Sequence, residues 1–101
     1  MTVLMLMRVA GNAKELESFA HDDPDGVRAI AEKAKSYGVL RHRFFGTDNE
    51  IIVVDEWPSQ EAFQRFFEES PEIGQMMAKI GVTAEPSPTF ARQLDVGDEV
   101  G

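Results

Sequence analysis

The chain opens with an almost unbroken apolar run, "VLMLMRV" from Val3 to Val9, and a second run, "IIVV", starts at Ile51. Runs this short and continuous predict strands buried on both faces. Helical spacing takes over elsewhere. Val27, Ile30, Ala31 and Ala34 share one face of a segment that begins in "DDPDG" and stops at Gly38. Asp23 suits the cap, Pro24 the first helical position and Gly38 a left-handed stop, which predicts a helix over residues 24–37. "VLRHRFFG" and "EIIVVDEW" flank "TDN", a hairpin signal. A second helix is predicted from Ser59, with Phe63, Phe66 and Phe67 on one stripe. A third follows at "SPE", with Ser70 as cap, Pro71 at the first position and Gly81 as stop. Its apolar face is Ile73, Met76, Met77 and Ile80. "AGNAKELESFAH" reads as a loop with a helical turn, "GVTAEPSPTF" as a loop or edge, and "TFARQLD" as a short last strand.

The predicted order is β-α-β-β-α-α-β, the split βαβ pattern of an α+β, ferredoxin-like fold. It has a four-stranded antiparallel sheet with helices on one face. A single domain is expected over residues 1–95, with residues 96–101 as an acidic tail. The apolar strands conflict with that architecture. Both of their faces want burial, yet the helices cover one. A second copy packed sheet to sheet resolves the conflict, so the chain is expected to form a homodimer.

Composition sharpens this picture. A chain of 101 residues buries a modest core, which adds weight to assembly. The net charge of -8 repels polyanions, so neither nucleic acid nor a membrane surface is an expected partner. The absence of cysteine excludes a disulfide scaffold and thiolate chemistry. The opening apolar run is short and has no basic residues before it, so it reads as a strand, and the expected location is cytoplasmic. With no glycine-rich phosphate loop, nucleophile elbow or metal-ligand spacing, no cofactor and no metal are expected.

The stretch "VVDEWPSQEAFQRFF" has an acidic residue two before Trp57, a short turn, and a helix bearing an acidic residue and aromatics. It resembles the antibiotic-biosynthesis-monooxygenase-like group of dimeric α+β barrels, and the element order extends the likeness over most of the chain. The resemblance implies a site between helices and sheet into which Trp57, Asp55 and Val53 point. It also implies a small aromatic or polyketide-like ligand and chemistry without a cofactor. The quinone-forming oxygenases of the group carry an amide where Val53 stands, a phenol where Phe63 stands and a basic residue near Met76 and Met77. Here the Trp is retained and those partners are apolar. Haem-degrading members carry an axial histidine on the later helix, where "SPEIGQMMAKIG" has none, and an asparagine at the position of Met7.

Two histidines are present. With a four-residue hairpin loop His42 faces Asp55, Leu40 faces Trp57 and Phe44 faces Val53. A three-residue loop shifts the pairing by one. In the first register His42 and Asp55 form either a general-base pair or a structural cross-strand bond. Trp57, Phe63, Phe44, Val53 and Met77 are then expected to line a substrate cleft. Helical spacing alone also explains Phe63, Phe66, Phe67, Met76 and Met77 as core. His21, beside Asp22 and Asp23, reads as a loop histidine, because adjacent residues rarely address one ion. Arg41 and Arg43 alternate with His42 and are expected on the opposite face, paired with Glu50, Glu56 or a partner chain. The functional expectation is a monooxygenase-like small-molecule-binding protein, and the alternative is a non-catalytic ligand-binding or structural homodimer.

Overall fold

A computed structural model describes residues 2–101. The elements are β1 (Val3–Ala10), α1 (Ala13–Asp22), α2 (Pro24–Ser36), β2 (Arg41–Gly46), β3 (Glu50–Trp57), α3 (Gln60–Glu68), α4 (Pro71–Lys79) and β4 (Thr89–Ala91). The strands form one antiparallel sheet in the order β2-β3-β1-β4. The fold is α+β and ferredoxin-like, with β1 and β3 at the centre.

Local chemistry explains most boundaries. The Asp23 carboxylate accepts the Gly26 N–H at 3.1 Å and caps α2. A Cβ on Gly26 would lie 2.3 Å from an Asp23 oxygen, so a larger residue there would make the capping carboxylate shift. Gly38, at φ 102°, turns the chain out of α2 in a conformation other residues resist. Ser59 caps α3 by accepting the Ala62 N–H at 3.2 Å.

Two expectations need correction. "AGNAKELESFAH" holds a full helix, α1, which Asn12 caps by accepting from the Lys14 and Glu15 N–H groups. Only Leu16 of α1 is buried, with Ala13 and Phe19 beside it at helical spacing and packed on the same cluster. Ser70 precedes α4 but makes no cap hydrogen bond; its hydroxyl is buried without a partner. The helices of one chain cover one face of the central strands, as the element order requires. Met5, Met7 and Val9 of β1 are buried, and so are Ile51, Val53, Asp55 and Trp57 of β3, whereas the residues between them are half-buried or exposed.

The hairpin register is the one that follows from a four-residue loop. His42 pairs with Asp55, Phe44 with Val53, and Gly46 with Ile51. Thr47 closes the loop, its N–H donating to the Glu50 carbonyl at 3.0 Å. On the inner face of the sheet the core divides in two. Around Trp57, the residues Met5, Met7, Val53, Phe63 and Phe66 form one cluster, and Ala34 of α2 closes it. Val9, Leu16, Ile51, Met76, Met77 and Ile80 form the other.

Candidate functional site

Between these clusters the sheet and helices enclose a cavity of about 280 Å³. Its floor is Met5, Met7, Phe44 and Val53, with His42 and Asp55 beside them. Its roof is α2, where Ala31 and Ala34 are too short to fill the space beneath the helix. Phe63 and Phe66 of α3 and Met76 and Met77 of α4 make the far wall. The volume falls near the lower end of small-molecule sites, which run from about 300 to 1,000 Å³. The cavity therefore suits a small, mainly apolar occupant.

The polar groups are few and connected. Asp55 is buried on the inner face, at 5% exposure. One of its oxygens lies 2.7 Å from His42 Nδ1, and the other accepts the Trp57 indole N–H at 3.1 Å. An ionised carboxylate only accepts, so Nδ1 of His42 is the donor in this pair, and in the neutral imidazole Nε2 is then the free acceptor. The imidazole is about one-third exposed, with its ring edge-on to Phe44 at 4.9 Å. It stands on edge strand β2, where a ligand can reach it. Arg43 also borders the cavity, although strand alternation sets it opposite His42.

The residues singled out from the sequence do not all take the places expected. Phe63, Phe44, Val53 and Met77 border the cavity, together with His42 and Asp55. Trp57 does not. It is fully buried one layer behind the wall, 5.6 Å from the Phe63 ring and 5.4 Å from Phe66. Strand parity gave its face and said nothing of its depth. Phe67 stacks on Phe63 at 5.5 Å. Met5, Met7, Ala31 and Ile73 also line the space, and the sequence pattern marks them only as apolar strand and helix positions. His21 sits in the last turn of α1, not in a loop. Glu50 pairs with Arg8 at 2.6 Å instead of Arg41 or Arg43. Among the described residues no group of three or more His, Cys, Asp or Glu side chains could hold a metal ion.

A polar clasp fixes α2 over the cavity. Lys33 Nζ donates to the Glu69 carbonyl at 2.5 Å and to both Glu72 carboxylate oxygens at 3.1 and 3.3 Å. Glu72 also takes its own backbone N–H, and this bond together with Lys33 holds its carboxyl below the usual carboxylate value. One turn on, the Tyr37 hydroxyl donates to Glu69, which raises the phenol above its ordinary value. The clasp joins α2 to the α3–α4 corner and thereby holds the roof to the far wall.

The fold is shared with cofactor-independent oxygenases. SnoaB, a cofactor-independent oxygenase from Streptomyces nogalater, superposes with a TM-score of 0.64 at 17% identity, covering 97% of this chain and 98% of that one. The ActVA-Orf6 monooxygenase of Streptomyces coelicolor, solved with nanaomycin D, gives a TM-score of 0.64 at 17% identity over 97% of this chain and 92% of its own. A dimeric ferredoxin-like protein from an uncultured marine organism gives 0.65 at 16% identity, covering 98% and 93%. No protein-family model and no curated protein matches the chain. The resemblance read from "VVDEWPSQEAFQRFF" thus holds for the antibiotic-biosynthesis-monooxygenase-like fold. No helix of the described residues is long and apolar enough to cross a membrane.

Proposed function

We propose that this chain binds a small hydroxylated aromatic or polyketide-like molecule in the cavity and removes a proton from it with His42, without a cofactor. The observation that carries this reading is the His42–Asp55 pair at 2.7 Å on the border of an otherwise apolar cavity. A carboxylate on Nδ1 leaves Nε2 free as a base for a phenol or enol. The resulting imidazolium stands beside the ligand anion in a water-poor site, where opposite charges attract more strongly than in water. An electron-rich phenolate of this kind can react with dioxygen. A ring C–H and the O–H are lost, one oxygen atom enters the ring to give a quinone, and the other leaves in water. The cofactor-independent neighbours of the same fold make that outcome the leading expectation.

Assembly belongs to the same proposal. Leu4, Leu6, Ile52, Val54 and Phe45 leave an apolar patch on the outer face of the sheet. A second copy would cover it, as the dimeric ferredoxin-like neighbour suggests.

A second reading is binding without turnover. It is favoured by Val53 and Phe63, which place apolar groups where the quinone-forming members carry an amide and a phenol. Oxygen consumption and product analysis with hydroxynaphthoquinols and anthrones separate the two. Turnover that is lost in His42→Gln supports the base. Saturable binding with no turnover, unchanged by His42→Gln, supports the binding module. No binding by any such compound would remove both readings of the cavity.

A further inference from the structure

We infer that Trp57 is a positioning residue for the His42 base, acting through Asp55 and not by touching the ligand. The inference rests on reading His42 as a base. Trp57 is fully buried and does not border the cavity, so a molecule held there does not meet its indole. Its N–H is committed to Asp55 at 3.1 Å. That residue lies two positions earlier on the same strand, so both side chains project from the same face.

The consequence lies in what each Asp55 oxygen holds. One accepts from His42 Nδ1 and the other from Trp57. With both oxygens engaged, the carboxylate plane cannot turn without breaking a buried hydrogen bond. The indole in turn is clamped by rings on α3, with Phe63 edge-on to it and Phe66 tilted against it. A rigid line therefore runs from the α3 aromatics through the indole and carboxylate to the imidazole. It ends at Nε2, the atom free to meet a ligand.

The proton transfer balances with these residues alone. The ligand O–H bond breaks and its electron pair stays on the ligand oxygen. The proton adds to Nε2, which gives an imidazolium with N–H at both nitrogens. Asp55 stays ionised and accepts from Nδ1 and Trp57 throughout. No proton reaches Trp57. Removing the indole donor leaves one carboxylate oxygen buried without a partner, a state that favours the protonated acid or a turned carboxylate. Either change releases Nδ1, and the imidazole lone pair is then free to sit on the nitrogen facing away from the ligand.

The test uses Trp57→Phe, which keeps an aromatic ring and removes the donor. Nitrogen-resolved NMR of His42 should show a single neutral tautomer, protonated at Nδ1, in the unmodified protein. Trp57→Phe should give a mixture. Juglone serves as the ligand probe, because its visible spectrum reports ionisation. The unmodified protein should bind it as the phenolate. In Trp57→Phe the ratio of ionised to neutral bound juglone should fall about tenfold, the scale of one lost hydrogen bond to a charged group, with overall affinity little changed. An unaltered His42 tautomer in a folded Trp57→Phe protein would overturn the inference. Should that variant not fold, His42→Gln decides instead. The Trp57 indole N–H resonance should be protected from exchange and should shift in His42→Gln; an unprotected, unshifted signal overturns the inference. The tautomer measurement needs no ligand. If juglone binds only as the neutral phenol while the tautomer result holds, the role of Trp57 stands and the reading of His42 as a base for phenols fails.

Discussion

The two faces of the sheet are built from the same strands and meet opposite fates. The inner face presents Met5, Met7, Val53, Asp55 and Trp57, and the chain's own helices bury all of them. The outer face presents Leu4, Leu6, Ile52 and Val54 from the same two strands, with Phe45 of β2 more than half exposed. Hydrophobicity is similar on both. The inner face nevertheless carries the single buried carboxylate of the sheet, and the outer one carries an Arg8–Glu50 ion pair at its edge. The difference teaches that strand composition fixes how much surface seeks cover and leaves open which molecule provides it. On one side the cover is four helices that stop short of filling the space. On the other it is expected to be a second copy.

The largest effect is expected from a charge placed at the centre of the outer face. Leu6 pairs with Val54 on one side and Thr89 on the other. In a two-fold interface Leu6→Asp buries two new carboxylates with no cation directly across from them. A buried charge without a good partner costs about 3–5 kcal/mol, so association should be lost at micromolar concentration. Sedimentation should show a dimer for the unmodified chain and a folded monomer for the variant. A clean monomer before mutation would remove the proposed symmetry between the faces.

On the inner face, Trp57→Ala is expected to lose about 3–5 kcal/mol in urea denaturation, the range for truncation of a buried aromatic. Trp57→Phe keeps most of the packing and should lose about 1–3 kcal/mol, the scale for leaving a buried acceptor without its donor. Equal losses in the two variants would mean that the Asp55 hydrogen bond matters more than the ring. A negligible loss in Trp57→Phe would mean that the ring alone matters.

How much of this was legible in the sequence depends on the range of the signal. Strand pairing is local in a hairpin. The residues "GTDNE" therefore sufficed to set His42 against Asp55 once a four-residue loop was chosen. The α2 boundaries were legible because Asp23, Pro24 and Gly38 each act on their own turn. Helix α1 was not plainly so, although Ala13, Leu16 and Phe19 fall at helical spacing behind the Asn12 cap, because so short and charged a segment also suits a loop. The depth of Trp57 was not legible either. Parity places a side chain on a face, whereas depth depends on Phe63 and Phe66 arriving from α3. The cavity has the same origin: Ala31 and Ala34 read as ordinary helix positions until the sheet lies beneath them.

Two serines make a smaller test of what local signals carry. Both precede a helix in the same pattern, yet Ser59 caps α3 and Ser70 makes no cap bond at α4. Ser59→Ala should cost about 1 kcal/mol, as the loss of an N-cap does. Ser70→Ala removes a buried hydroxyl that has no partner, so its midpoint in urea should stay level or rise. A loss at Ser70 equal to that at Ser59 would show that its hydroxyl finds a partner in solution.

The smallest expected effect is the acid response, and it separates the two faces again. Glu50, on the outer face, is held below its ordinary value of 4.5 mainly by the hydrogen bond to Arg8. Glu72, on the helix side, is held below the same value by its own backbone N–H and by Lys33. A carboxyl lowered in the folded state binds protons less tightly there than in the unfolded chain. Its contribution is therefore complete above the unfolded value of 4.5 and is lost as pH falls through the folded value. Both carboxylates are partly open to solvent, so each loss should be slight and weaker in high salt. Urea midpoints followed from neutral pH downward should fall below 4.5, and Glu72→Gln should remove part of that slope. Arg8→Met should remove another part, and here protein concentration adds a distinction. If a second copy covers the outer face, the share tied to Arg8–Glu50 should change with protein concentration, because acid then weakens association as well as folding. The share tied to Lys33–Glu72 should not. An Arg8-dependent slope that is identical at low and high protein concentration would place that ion pair outside any contact between copies.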